Sequence, residues 1–289
     1  MCSASRLRIS AISYLNTAPL MWDFEHGSAG DDFDVSYTLP SQCAIQLEQG
    51  LADIGIIPVA AYASIADLLI LPGVAIASRQ AVRSILLVCK VSIEKIHSVA
   101  MDSSSMTSVA LLKVLFAKSW RKDAPQPIFE NVNPDIEKML SHHDAALLIG
   151  DPALQVDRSR YQTYDLAEEW IRLTGKPFVF AFWAVRKEAL NDLGSAIQLA
   201  SIFQTSRDHG LQTENLEQIV KQWAPRIGIG EADVRKYLTE NIHYFLDPEC
   251  IAGMQLFFRY ARECGALPAV QPLRFLDVTN SVFIWAQSP

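Results

Sequence analysis

The sequence predicts an α/β fold of two lobes, each a mostly parallel sheet flanked by helices, with a helical C-terminal region. Three observations carry this. Short β-rich runs alternate with segments of helical spacing over the first two-thirds of the chain. Several runs are apolar almost throughout, as strands covered by helices on both faces must be. Two of them, VRSILLVCK (82–90) and FVFAFWAVR (178–186), suit crossings between lobes. A chain leaving the first lobe at the former and returning at the latter makes lobe 1 discontinuous, 1–90 plus 184–289, with 91–183 inserted as lobe 2. Ligands of such folds sit in the cleft, at the C-terminal ends of the strands, and the lobes close on a hinge.

The elements follow in order. Strands are expected at LRISAIS (7–13), FDVSYT (33–38), DIGIIPV (53–59), LLILPGVAIAS (68–78) and the first crossing. HSVAMD (97–102), PIFEN (127–131), DAALLIG (144–150) and the return crossing complete the set. SQCAIQLEQG (41–50) has helical spacing and stops on a glycine, and TSVALLKVLFAKSW (107–120) and DIEKMLSHH (135–143) are the other clear helices between strands. From Lys187 onward the spacing is helical: KEALNDLGSAIQLASIFQTSRDHG, TENLEQIVKQWAP, EADVRKYLTENIHYF and PECIAGMQLFFRYARECG. Phe257, Phe258 and Tyr260 in the last of these fit either the core or the face of a homodimer, and the terminal VTNSVFIWAQSP either an added strand or a tail.

Composition narrows the function class. With 25 basic against 32 acidic residues the net charge is −7, and no basic stripe is present to displace counterions, so nucleic acid is not expected as a partner. Five scattered cysteines without a CxxC pair exclude a zinc ribbon and a thioredoxin-type centre, and fit reduced thiols in the cytoplasm. MCSASRLRISAIS reads as a first strand and not as a secretion signal, and no apolar run is long enough to span a membrane. Walker A, GxSxG, HExxH and GxGxxG motifs are absent. RIGIGEAD (226–233) reads as a turn, and His142-His143 as a solvated helix end.

Polar residues gather where strands end. In SYLNTAPL (13–20), Asn16 or Thr17 could cap a helix with Pro19 in an early position, or the same turn could offer donors to an anion. Ser84 enters a buried strand, either satisfied by neighbouring backbone or facing a ligand. In MDSSSMTSV (101–109), Ser103, Ser104, Ser105, Thr107 and Ser108 crowd one helix N-terminus; a cap needs one hydroxyl, and the remainder suit a carboxylate or phosphate. In LLIGDPAL (147–154), Gly150 permits close backbone approach, and Asp151 can be a cap or a polar contact in the cleft. Alternation sends Phe178, Phe180 and Phe182 to one face, where one or two could wall a cyclic ligand.

Five blocks in this order, SYLNTAPL, ADIGIIPVAAY (52–62), SSSMTSVALL (103–112), AALLIGDPAL (145–154) and TGKPFVFAFWAVR (174–186), resemble the chorismate dehydratase family of the futalosine route to menaquinone. The resemblance covers about residues 8–265. It implies a type II periplasmic-binding-protein fold used as a lyase, converting chorismate to 3-[(1-carboxyvinyl)oxy]benzoate and water without cofactor or metal. The resemblance puts Asn16 and Ser84 in the catalytic positions and Ser105, Thr107, Ser108 and Asp151 in substrate-binding ones; the polar turns add Thr17 and Ser103 to the binding set. Unlike the family, Ser103-Ser104-Ser105-Met106 has no basic residue at its turn, so charge must be met by backbone and hydroxyls, by Arg83 or by another residue.

The chemistry implied is loss of the ring C3 proton and the C4 hydroxyl. None of the six histidines lies in a site block, which argues against an imidazole base. The substrate's own enolpyruvyl carboxylate is then the candidate proton acceptor, with Asp151 as the reserve base. Two other readings share the fold: a non-catalytic solute-binding protein for a small anion, and the related dihydroxynaphthoate-forming enzyme.

Overall fold

The computed structural model describes residues 6–192 and 196–277, so the tail 278–289 lies outside the described residues. Ten strands run in chain order: β1 Leu7–Ile12, β2 Phe33–Thr38, β3 Ile54–Pro58, β4 Leu68–Ser78, β5 Ile85–Cys89, β6 Ser98–Asp102, β7 Ile128–Val132, β8 Ala145–Ile149, β9 Gln162–Asp165 and β10 Phe178–Arg186. They form two five-stranded sheets of equivalent order, β2-β1-β3-β10-β4 and β7-β6-β8-β5-β9. Every residue of β3, β5 and β8 is buried, whereas the edge strand β2 is mostly accessible.

Both sheets are mixed, and the reason lies in the crossings. β1 pairs in parallel with β2 and β3, and β6 with β7 and β8. β10 is antiparallel to both β3 and β4, and β5 to both β8 and β9. Four strands of each sheet therefore point toward the cleft. The fifth is the strand the chain enters on arriving from the other lobe: it starts at the cleft and must run away from it. The expected first crossing is itself β5, hydrogen-bonded wholly within the second sheet, and the passage between sheets is the stretch 79–84 that precedes it. Likewise the return passes through 175–177, and all of β10 belongs to the first sheet.

Strand 162–165 and the helix Leu166–Thr174 were not among the expected elements. The strand is short and polar. The helix is well signalled locally: Asp165 accepts the N–H groups of Ala167 and Glu168, and Gly175 ends it at φ 67°. The C-terminal region is helical as expected over Ala196–Gly210, Thr213–Ile227, Glu231–Lys236 and Pro248–Glu263. Between the last two the chain makes a π turn, Tyr237–Asn241, then extends, and His243 bridges to Ala77 of β4.

One apolar core runs through both lobes. The last helix is its keystone. Phe257 is fully buried, 5.0 Å between centroids from Phe178 of β10 and 6.2 Å from Trp170 of the helix after β9. Phe258 is buried as well, and Tyr260 packs partly buried against Trp170, so all three serve the core of a single chain. Gly253 lets this helix approach closely: a Cβ there would lie 2.2 Å from the Pro177 carbonyl oxygen in the return crossing.

Candidate active site

SYLNTAPL leaves β1 through Tyr14 in extended conformation and winds into a 3₁₀ helix, Leu15–Met21, with Pro19 inside it. Neither Asn16 nor Thr17 caps it. The cap comes from the opposite lobe: Leu15 N–H donates to Asp151 Oδ1 at 3.1 Å. Asn16 is thereby released from the helix end and lines a cavity between the lobes. Thr17 is buried, and its hydroxyl donates to Asn16 Oδ1 at 3.4 Å. Thr17 thus orients Asn16 and does not itself line the cavity.

Ser84 reaches the same cavity through a strained turn. Arg83 has φ 63°, in the left-handed region that disfavours residues with a Cβ, and is held there by the buried Asp165. The Asp165 carboxylate takes the N–H of Val82 at 3.1 Å and that of Arg83 at 2.6 Å, besides capping its own helix. Burial pushes its pKa up, and the bound N–H groups pull it partly back. Ser84 then accepts the Gly150 N–H on its carbonyl, 2.8 Å away, which ties the end of β8 to the crossing. The Arg83 guanidinium pairs with Asp233 at 3.6 Å, and Arg83 is not among the residues that line the cavity.

The serine-rich turn divides its labour. Ser103 is exposed and outside the cavity. Ser104 gives both its N–H and its hydroxyl to Asp102 Oδ1, at 2.9 and 2.6 Å. Thr107 spends its hydroxyl across the cleft: it accepts Ala60 N–H at 3.1 Å and donates to the Phe180 carbonyl at 3.2 Å. Ser105 and Ser108 line the cavity beside the uncapped N-terminus of the helix Thr107–Leu115. There the backbone N–H groups and the helix dipole favour a negative charge.

The cavity brings Asn16, Ser84, Ser105, Thr107 and Ser108 together. Its other walls are Tyr14, Phe180 and aliphatic residues such as Ile12, Ile85 and Ile149. Phe180 is there because β10 is irregular: the pairing with β4 skips a residue between Val179 and Ala181, so alternation fails and Phe180 and Ala181 both reach the cavity. Phe178 and Phe182 go to the core instead. No lysine, arginine or histidine is among the lining residues.

Three groups at this site were not anticipated from the sequence. Tyr14 packs on Gly150, where a Cβ would come within 2.6 Å of its ring, and its phenol lies beside Ser104. Tyr237, from the π turn, is buried with its hydroxyl 2.8 Å from Ser84 Oγ and lies beside the Asn16 side chain. Burial holds that phenol protonated far above the usual tyrosine range. Asp102 is fully buried, and its Oδ2 has no hydrogen-bond partner among the described residues. Asp151 is partly buried and is not among the residues that line the cavity; burial raises its pKa to about 6, against the opposing effects of the Leu15 N–H and Arg226.

Comparison with known proteins agrees with this geometry. A family model for menaquinone biosynthesis matches residues 7–263. The chorismate dehydratase of Thermus thermophilus is 28% identical over 262 residues, covering 84% of this chain and 91% of that protein. Among solved structures, the alkanesulfonate-binding protein of Xanthomonas axonopodis pv. citri, bound to MOPS, superposes with a TM-score of 0.68 at 17% identity, covering 95% of this chain and 99% of its own. A Candida albicans protein with the generic periplasmic binding protein fold gives 0.62 at 11% identity, covering 96% and 99%. The fold is that of the periplasmic binding proteins. No helix among the described residues is long and apolar enough to cross a membrane. The family match runs from the first residue of β1 to the last of the final helix, through both sheets and every wall of the cleft, and the chain belongs to the menaquinone biosynthesis family.

Proposed function

We propose that this chain is a chorismate dehydratase, a lyase that converts chorismate to 3-[(1-carboxyvinyl)oxy]benzoate and water on the futalosine route to menaquinone. The observation that carries the reading is the meeting of Asn16 and Ser84, 68 positions apart in sequence, in one cavity whose other polar groups are uncharged donors. Its apolar walls suit a six-membered ring.

Chorismate brings two carboxylates. The N-terminus of Thr107–Leu115, with Ser105 and Ser108, takes one. Asn16 and Ser84 hold the other parts of the molecule, Asn16 at the ring hydroxyl or ring carboxylate and Ser84 at the enolpyruvyl side chain. In the reaction the C3–H bond breaks and its electron pair enters the ring, while the C4–O bond breaks and the hydroxyl leaves as water with the abstracted proton. The enolpyruvyl carboxylate accepts the C3 proton, so the protein's task is to hold a reactive conformer of a molecule that carries its own base. Aromaticity of the product makes the step strongly downhill. Asp151 is the reserve base. We take the protein to act in the cytoplasm, where the free thiols of Cys43, Cys89, Cys250 and Cys264 stay reduced.

Steady-state turnover of chorismate by the wild type, Asn16→Ala and Ser84→Ala tests the assignment. The expected result is aromatic product from the wild type and a loss of at least about a hundredfold in kcat for Asn16→Ala. Unchanged turnover in that variant removes Asn16 from the reaction. Retention of a pH-dependent residual rate in it would move the proton transfer to Asp151. Tight binding of chorismate with no turnover in the wild type would return the chain to the solute-binding class.

A further inference from the structure

We infer that Tyr237 is a positioning residue that aims the Ser84 hydroxyl into the cleft, the last link of a one-way hydrogen-bond chain that starts at Thr17. The inference rests on the dehydratase reading and adds to it a residue from the C-terminal helices. Thr17 donates to Asn16 Oδ1 at 3.4 Å, and in the proposed chain the Asn16 amide nitrogen, beside the Tyr237 phenol, is the next donor. An amide N–H donated to the phenol oxygen turns the phenol O–H onto Ser84 Oγ, 2.8 Å away. Having accepted that hydrogen bond, Ser84 must direct its own O–H elsewhere, and the open side of Ser84 is the cavity it lines. Each donation polarises the next, so Ser84 becomes a stronger donor to a bound carboxylate than an isolated serine.

The surroundings fit a held, aimed group. Tyr237 is 1% exposed and opens the π turn Tyr237–Asn241, where the extra residue per turn shifts side chains relative to the preceding helix. The same turn is fastened to the crossing that carries Ser84: Asn241 Nδ2 donates to the Ala81 carbonyl at 2.8 Å, and Gln80 Nε2 donates to the Glu240 carbonyl at 2.5 Å. A second buried phenol, Tyr244, has no hydrogen-bond partner among the described residues and lies outside the hydrogen-bond chain, which makes it a control.

The test is a double-mutant cycle on purified full-length protein with chorismate as substrate. Tyr237→Phe is expected to lower kcat by about tenfold to thirtyfold with KM changed less than about threefold. In a Ser84→Ala background the same change should cost almost nothing, because Tyr237 acts through Ser84. Tyr244→Phe should match the wild type in kcat. Wild-type kcat in Tyr237→Phe, or losses that multiply in the double variant, would overturn the inference while leaving the dehydratase reading standing. Absence of aromatic product from the wild type itself would overturn that reading, and this inference with it. Should Tyr237→Phe fail to fold, 3-fluorotyrosine at 237 keeps size and polarity while strengthening the donor; it should alter kcat and not KM, and an unaltered kcat would refute the role.

Discussion

Replacing Asp151 by Asn should stabilise the chain at pH 8 and leave its stability unchanged at pH 4. Asp151 is half-buried between Tyr14, the Leu15 N–H and the end of β8, and burial raises its pKa from 3.8 to about 6. Between those two values the folded chain keeps a proton that the unfolded chain releases. The stability associated with the neutral acid is therefore complete below about pH 4 and is lost as pH rises through about 6. The rise from 3.8 to about 6 corresponds to about 3 kcal/mol at 1.36 kcal/mol per pH unit, an upper bound. Asp151 is only partly buried, which reduces the expected gain to about 1–2 kcal/mol. Asn keeps an oxygen for the Leu15 N–H, so the interlobe cap survives the change. Urea denaturation of both proteins from pH 4 to 8 measures this. A wild-type-like pH profile in Asp151→Asn, or a variant less stable than wild type at pH 8, would refute the reasoning.

Other perturbations test the framework. Gly150→Ala meets both a φ of 64° and a Cβ 2.6 Å from the Tyr14 ring, and should cost about 3 kcal/mol in denaturant unfolding. Phe257→Ala should cost about 3–5 kcal/mol and still unfold in one transition, because the core it joins is common to both lobes; two separated transitions would contradict a single core. For Asp247, burial opposes ionisation but is outweighed by the Cys250 N–H, Arg79 and His243, and the carboxyl is held well below its usual range. Asp247→Asn should therefore cost about 1–2 kcal/mol at pH 7, a difference that shrinks as pH falls below about 4, where the wild-type carboxylate itself begins to lose its advantage.

Most strands were legible because each is short, apolar and bounded by turn residues; β2 and β4 fall where the sequence places them, and the others within a few residues. Strand direction was less so. β5 and β10 look like any other apolar run, and only the geometry of entering a lobe from the cleft makes them antiparallel. Strand 162–165 escaped notice because QTYD has no apolar face, although the Asp165 to Gly175 cap-and-stop pattern of the next helix was readable. At the site, Asn16, Ser84, Ser105 and Ser108 stood out as polar residues at strand ends or a helix start, and they do meet. Thr107 and Asp151 carried the same local signal, yet their bonds in this structure run from lobe to lobe. Tyr237 could not have been found: it lies 153 positions from Ser84, in a segment whose spacing reads as an ordinary helix and where an aromatic residue reads as core. Arg83 shows the converse, a charged residue beside a site that the left-handed turn directs outward to Asp233.

The central claim is that neutral amide and hydroxyl groups in this cleft steer chorismate to aromaticity. Proton NMR of chorismate mixed with the wild-type protein tests it most directly. The account predicts that the cyclohexadiene signals give way, one for one, to those of a 3-substituted benzoate that retains its enolpyruvyl group. Chorismate that persists unchanged over hours at stoichiometric protein, or that loses its enolpyruvyl group instead of water, would contradict it.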